Sequence, residues 1–477
     1  MKDRIKSLLI GVALALYLGA AAEADLSSAI DGIIAESLEN KVHFSIHVVQ
    51  AQSARSVYDH HAKELMVPAS NMKLITTAAA LRHLGAKFEY RTKVGLCGDT
   101  LVVIGSGDPL LGDEKTDAAH GRERGWIFKD IAETLRSRGM TTINDLIVDS
   151  SVFDDQRVHP SWPKDQLNQW YACEVSGVNY NDNCIDVTVR NVRGKISISI
   201  EPQTAFIKAT NKIVPTSSAR DSAVGAYRTR EPNKIIFKGR CRRAVGPFYV
   251  AIERPAGFFG FLLAERLAGA GIKTRGHVIE KRFDDLANFK LLAEYKTPIA
   301  DCLTRCNKKS LGLAAEALFK TIAAHSKPDR KNGSWTRGQE VVAWYLLGLG
   351  LDKSQFYIDD GSGLSRQNEL TAHAVTTVLL DMYKSKDWHI YRNSLAVGGV
   401  DGTIAEYFNQ EKYEGKILGK TGYINRVKSF SGICVTGDGD YIFSILANNT
   451  RGDTRTVINS IAEAIVDNFT SDEPDTQ

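Results

Sequence analysis

The spacing of apolar and polar positions changes period along this chain, and the changes divide it into regions. Residues 41–50 and 55–60 read as two strands, and 67–81 reads as a helix with Pro68 suited to its start. From about Tyr90 to Asp284 the pattern is one of short strands and turns, such as 195–200 and 234–237. Helical periodicity returns at 310–324, 338–347 and 371–383. Residues 415–424, 430–436 and 441–447 then read as strands, with Asp438-Gly439 as a hairpin signal between the last two. A final helix near 454–469 carries Val457, Ile458, Ile461, Ile465 and Phe469 on one face, a stripe that predicts packing on a sheet. This order predicts one α/β domain assembled from residues 25–90 and 285–470, interrupted at 91–284 by one or two β-rich inserted domains.

Composition adds limits. A chain of 477 residues is too long for one ordinary core, and 43% apolar with 24% charged residues is a globular balance. The formal charge of +4 comes from acids and bases mixed along the length, which gives no basis for nucleic-acid binding. Lys2, Arg4 and Lys6 precede an uncharged run from Leu8 to Ala22 and a small-x-small site at Ala22-Glu23-Ala24. Those fifteen uncharged residues fall short of the roughly 20 that a membrane span needs. They predict a secretory signal peptide over 1–24, export to the periplasm or cell wall, and no stable membrane anchor. The acidic tail 471–477 is expected to be disordered. Seven cysteines are too few for a disulfide scaffold, although Cys173 and Cys184 flank the 175–183 loop and could close it. Cys302 and Cys306 could be paired or simply packed, and Cys434 reads as a buried thiol.

Candidate chemistry begins at Ser70 and Lys73. Three apart on a helix, they share one face, and an unprotonated lysine is one of the few bases able to activate a serine. Alone, the pair describes an ordinary helix start with an exposed lysine equally well. A second Ser-x-x-Lys, Ser161 to Lys164, has Pro163 where a helix would have to run. At the far end, Lys420-Thr421-Gly422 lies on a predicted strand, where the lysine can present a cation to a carboxylate and the glycine can let a substrate backbone approach. There is no Gly-x-Ser-x-Gly elbow and no His-Glu-x-x-His. The glycine-rich stretch 105–112 has Asp108-Pro109 where a phosphate loop needs Gly-Lys. Asp360 and Asp401 sit in glycine-rich turns and are expected to shape them.

Ser-x-x-Lys early and Lys-Thr-Gly late is the ordered pattern of penicillin-binding proteins and serine β-lactamases. Together with residues 101–111, 146–153, 360–368 and 398–403, it makes the chain resemble the low-molecular-mass class C penicillin-binding proteins. These are D-alanyl-D-alanine carboxypeptidases/endopeptidases, and the resemblance covers nearly everything after residue 40. It implies a β-lactamase/transpeptidase-like antiparallel sheet with its terminal strands adjacent and helices on both faces. It implies peptidoglycan stem peptides as substrate, β-lactams as inhibitors, and no metal or organic cofactor. Carried over residue by residue, Ser70 is the nucleophile, Lys73 its base and Ser310 a proton relay. Lys420, Thr421, Gly422 and Tyr423 line the substrate site, with the Tyr423 N–H completing an oxyanion hole. Two positions depart from the family pattern. Gly312 stands where the Ser-x-Asn motif has asparagine, and Tyr423 stands where a small hydroxyl residue is usual. The glycine is expected to leave a gap, so that Gly312→Asn would accelerate acylation. Two further readings remain at this point: a cell-wall-binding pseudoenzyme of the same fold, and a β-lactamase.

Overall fold

In the strand His43–Gln50, Phe44, Ile46 and Val48 alternate with Ser45, His47 and Val49, which sends the two sets to opposite sides. The computed structural model describes residues 23–36, 41–326 and 332–470, and in it both sides of this strand are covered. Residues 1–22, most of the leader reading, and the tail 471–477 lie outside the described residues. Among those described, a six-stranded sheet runs in the order Ala396–Val397, Ile417–Ile424, Val427–Thr436, Gly439–Asn448, His43–Gln50 and Arg55–His60. Every neighbouring pair is antiparallel. The early strand therefore pairs with a late one along its whole length, which is the adjacency of chain ends that the resemblance implied. The hairpin turns at Gly437-Asp438, one residue earlier than the sequence signal, with Thr436 opposite Gly439.

One side of the sheet presents Ile46, Val48 and Phe443 to Ile458, Ile461 and Ile465 of the helix Thr454–Asn468. Leu26 and Ile30, from the helical residues 23–36, join the same core. The apolar stripe read from the sequence is the packed stripe. The other side receives the helix Ala372–Tyr383, capped where Thr371 accepts the N–H of Ala374 at 3.0 Å. There His47, 6% exposed, shares hydrogen bonds with Thr376 Oγ1 at 2.6 Å and Ser56 Oγ at 3.1 Å. Burial, followed by the neighbouring His373, lowers the His47 pKa to about 4. An unfolded histidine takes its proton near pH 6.5, so between pH 6.5 and 4 the unfolded chain binds a proton that the folded chain refuses. Stability is thus expected to be intact above pH 6.5 and to lose about 3 kcal/mol from this residue by pH 4. Urea unfolding at pH 7 and 4.5 should show that loss, and His47→Gln should show less of it.

The chain packs as two contact-dense units. The first contains the described residues of Met1–Ala79, Leu303–Ser310 and Val342–Gln477, and the second Ala80–Cys302 and Leu311–Val341. Residues 80–90, 285–302 and 311–341 thus group with the second unit, whereas the sequence order had placed them with the sheet just described. The second unit has a five-stranded sheet from Val278–Glu280, Leu146–Asp149, Thr100–Ile104, Glu89–Cys97 and Lys290–Pro298. Two three-stranded sheets accompany it, but it is not purely β. Its core is centred on Phe258, Phe259, Leu262 and Leu263 of the helix Pro255–Gly269, with Ile127, Ile131 and Leu135 of Trp126–Ser137. The first of these helices is apolar on nearly every side, so no 3.6-residue period marks it. All seven cysteines are free thiols. Cys173 and Cys184 are both buried, which raises their thiol pKa values, and no disulfide closes the 175–183 loop. No helix among the described residues is long and apolar enough to cross a membrane.

Candidate active site

Ser70 lies in a single 3-10 turn, Ala69–Asn71, that runs directly into the helix Met72–Leu84. The turn is stitched to the sheet. Ser429 Oγ donates to the Pro68 carbonyl at 2.8 Å, and Asn71 Nδ2 donates to the Lys420 carbonyl at 3.1 Å. The Val67 N–H donates to Asn448 Oδ1 at 3.0 Å, and Asn448 Nδ2 returns a bond to the Val67 carbonyl at 3.1 Å. A side chain at Gly422 would meet Ser429 Oγ at 2.1 Å and both the Pro68 oxygen and Ser70 nitrogen at 3.0 Å. That glycine lets the strand lie against the Ser70 turn. The close approach it serves is made by the protein itself, rather than by a substrate backbone as the sequence reading had it.

Lys73 is 3% exposed, and its Nζ lies 3.3 Å from Ser70 Oγ and 2.7 Å from the Ser362 carbonyl oxygen. The loop that brings Ser362 here is turned by Asp360, as expected. Its carboxylate accepts the N–H groups of Gly363 and Ser365 and the Asn368 amide, each at 2.7 Å. The same loop accepts Thr76 Oγ1 on the Gly361 carbonyl at 2.7 Å. Asp401 likewise shapes its turn: it accepts the Val397 N–H at 3.0 Å and pairs with Lys308.

Ser310 has a φ of 58°, a left-handed conformation that costs a non-glycine residue on the order of 1–2 kcal/mol. Its Oγ accepts the Lys420 ammonium at 2.9 Å, and Lys420 also donates to the Thr421 carbonyl at 2.6 Å. Burial, the nearby Lys73 and then Arg455 push the Lys420 pKa well below the usual lysine range, with Cys306 acting the other way. Thr421 Oγ1 and Thr403 Oγ1 are 2.8 Å apart. By strand alternation Tyr423 shares the Thr421 side, and the residue is 67% exposed. The geometry therefore comprises two serine–lysine pairs, Ser70 with Lys73 and Ser310 with Lys420, whose lysines repel each other. Such an arrangement favours a lysine that has shed its proton next to a serine hydroxyl. The second Ser-x-x-Lys is not on a helix: Lys164 opens a separate 3-10 turn, Lys164–Gln166.

Three residues with a place in this geometry carried no role in the sequence reading. Ser362 acts through a carbonyl oxygen, which no side-chain pattern reveals. Thr403 stood inside the recognised 398–403 segment without an assigned contact. Arg455 donates to the Gly422 and Ser429 carbonyls at 3.2 and 3.3 Å from the start of the C-terminal helix.

Gly312 opens the helix Gly312–His325, and a Cβ there would lie 3.0 Å from the Tyr171 carbonyl oxygen. Backbone narrows the expected gap. For Gly312→Asn the Tyr171 carbonyl must give by a few tenths of an ångström, and overpacking of this kind costs up to about 1–3 kcal/mol. The variant is now expected to lower the urea midpoint and to acylate no faster than the parent, which stopped-flow with a fluorescent penicillin checks.

Comparison with known proteins gives a consistent picture. Residues 26–468 match the family model of the D-Ala-D-Ala carboxypeptidase 3 (S13) family. A D-alanyl-D-alanine carboxypeptidase of Actinomadura sp. (strain R39) is 29% identical over 456 residues, spanning 90% of this chain and 82% of the relative. The D-alanyl-D-alanine carboxypeptidase DacB of Haemophilus influenzae is 24% identical over 403 residues, covering 81% of each chain. The crystal structure of penicillin binding protein 4 (dacB) from Haemophilus influenzae superposes with a TM-score of 0.78 at 22% identity, covering 92% of this chain and 98% of that one.

Proposed function

We propose that in this chain, which belongs to the D-Ala-D-Ala carboxypeptidase 3 (S13) family, Ser70 is the nucleophile and Lys73 its general base. The protein is a serine-type D-Ala-D-Ala carboxypeptidase/endopeptidase that acts on peptidoglycan stem peptides through an acyl-enzyme and is sensitive to penicillin. The observation that carries the residue assignment is the position of Lys73 Nζ between Ser70 Oγ and the Ser362 carbonyl. A neutral amine there donates one N–H to the carbonyl and turns its lone pair to the serine hydroxyl. Ser70 Oγ then attacks the carbonyl of the penultimate D-alanine while its proton passes to Lys73. The backbone N–H groups of Ser70 and Tyr423 hold the oxyanion. Ser310 passes a proton to the departing amine, and Lys420 with Thr421 binds the terminal carboxylate. Thr403 fixes the Thr421 hydroxyl. Water finally attacks the ester, returning Ser70 and releasing the shortened peptide. The place of action is the periplasm or the cell wall, a reading supported by the leader-like N-terminus and by where the substrate occurs.

Mass spectrometry after penicillin treatment tests this. A persistent adduct on Ser70, lost in Ser70→Ala, is expected. Rapid drug hydrolysis without accumulation would make the protein a β-lactamase, and no adduct at all a pseudoenzyme. An adduct that survives Ser70→Ala would place the nucleophile elsewhere.

A further inference from the structure

The mixture of acids and bases along the chain is uneven. The whole chain carries a formal charge of +4, but residues 190–243 hold thirteen Lys and Arg against three Asp and Glu, so acids outnumber bases elsewhere. This region contributes most of the two three-stranded sheets of the second unit, one of Cys184–Val192, Lys195–Glu201 and Ala244–Ala251, the other of Lys208–Pro215, Ala223–Arg228 and Lys234–Cys241. Three of their connections meet at one end. Val192 pairs with Lys195 across the Arg193-Gly194 turn, and Asn191 Oδ1 accepts the Gly194 N–H there at 2.9 Å. Asn191 also ties this turn to residues 241–244. Its N–H donates to the Arg243 carbonyl at 2.8 Å, and its Nδ2 to the Cys241 and Arg242 carbonyls at 3.0 and 3.1 Å. The 215–222 connection joins them, with the Thr216 N–H donating to the Cys241 carbonyl at 3.2 Å and the Arg242 N–H to Ser222 Oγ at 3.1 Å.

Arg190, Arg193, Lys195, Arg220, Arg242 and Arg243 are exposed at this end, and among the described residues none of them lies within ion-pairing distance of a carboxylate. Asp221 is the one acid in the three connections, and it lies 3.9 Å from a different base, Arg240. Charges on the edges of sheets commonly keep strands from pairing with other chains, but that protection needs no single sign. Like charges gathered at one end repel one another, and an anionic partner relieves the repulsion. Two apolar side chains stand exposed among the bases: Val192 at the turn, 63% exposed, and Val214, paired with Arg240 and 51% exposed. Bases around exposed apolar groups fit an anionic lipid surface, where the cations meet headgroup phosphates and the valines enter the layer beneath. A soluble anionic polymer would leave the valines in water and gain nothing from them.

We propose that this end of the second unit docks reversibly on a membrane that carries anionic phospholipid, a peripheral contact that needs no spanning helix. Co-sedimentation of the full chain with vesicles of equimolar phosphatidylglycerol and phosphatidylcholine tests it, with vesicles of phosphatidylcholine alone as the control. Binding to the first and not to the second is expected, with release in molar salt, where the screening length falls to about 3 Å. Each base near an anionic surface contributes about fivefold in affinity, so Arg193→Gln, Arg242→Gln and Arg243→Gln together should weaken binding on the order of a hundredfold. Val192→Thr with Val214→Thr keeps shape and charge. It should weaken vesicle binding severalfold and leave binding to soluble polyphosphate unchanged. All five side chains are exposed, and penicillin labelling of Ser70 reports that each variant is folded. The proposal is overturned if anionic vesicles sediment none of the protein, if phosphatidylcholine vesicles bind it as well, or if the arginine variant keeps the parent affinity. A valine variant that binds anionic vesicles as the parent does overturns it too, and makes this end a site for a soluble polyanion.

Discussion

Lys73→Met is expected to slow acylation of Ser70 by penicillin about 10²- to 10⁴-fold, the range that a positioned general base supplies. At 1.36 kcal/mol per tenfold this raises the barrier by roughly 3–5 kcal/mol. The loss should be kinetic rather than structural. Lys73 is 3% exposed, and methionine keeps most of its apolar stem in the same space. Lys73→Arg separates a base from a mere positive charge. Guanidinium stays protonated at any working pH, so it supplies a fixed charge and no basicity. Both variants should label slowly with fluorescent penicillin and unfold near the parent's thermal midpoint. Parent-like acylation in Lys73→Arg would show that charge alone is needed and would move the base to another group, Lys420 being the other buried lysine beside the site.

What the sequence made visible here is what acts through side chains at fixed spacing. Ser70, Lys73, Ser310 and the Lys420 strand fall where the motifs put them because each contributes a functional group that a pattern of letters can name. The C-terminal helix was legible for a related reason: Ile458, Ile461 and Ile465 repeat with the helical period on one buried side. The parts that were hidden act through backbone or through shape. Ser362 holds Lys73 with a carbonyl oxygen that any residue would supply. Gly312 looked like a missing asparagine, yet the Tyr171 backbone, which is remote in sequence, crowds a Cβ at that position. The helix Pro255–Gly269 is buried on most sides, so its composition resembles any apolar run. Unit boundaries were hidden too. Chain order put the helix after Ser310 with the six-stranded sheet, whereas its packing places it in the second unit.

Gly363→Ala should do the most damage of any single methyl added near the site. Gly363 has a φ of 79°, where alanine is strained, and its added Cβ would lie 1.8 Å from the Ala69 carbonyl oxygen and 3.0 Å from Met72 Cβ. No rotamer relieves a clash between a Cβ and a backbone oxygen, so either the Asp360–Asn368 loop or the Ser70 turn must move. The left-handed conformation costs about 1–2 kcal/mol and overpacking a further 1–3 kcal/mol, giving an expected destabilisation of roughly 2–5 kcal/mol. Function should suffer beyond stability. The residue just before Gly363 holds Lys73 Nζ, and the residue just after Ala69 is Ser70, the proposed nucleophile. A shift near 1 Å at a reacting pair can cost about 10²-fold in rate. Urea unfolding gives the first quantity, and the acylation rate per folded molecule the second. If stability falls while the rate per folded molecule holds, the loop is a structural brace and the Ser362 carbonyl does not set the position of Lys73. If both fall together, the brace and the base are one device, in which a glycine is required because the backbone of the nucleophile turn occupies the place of its side chain.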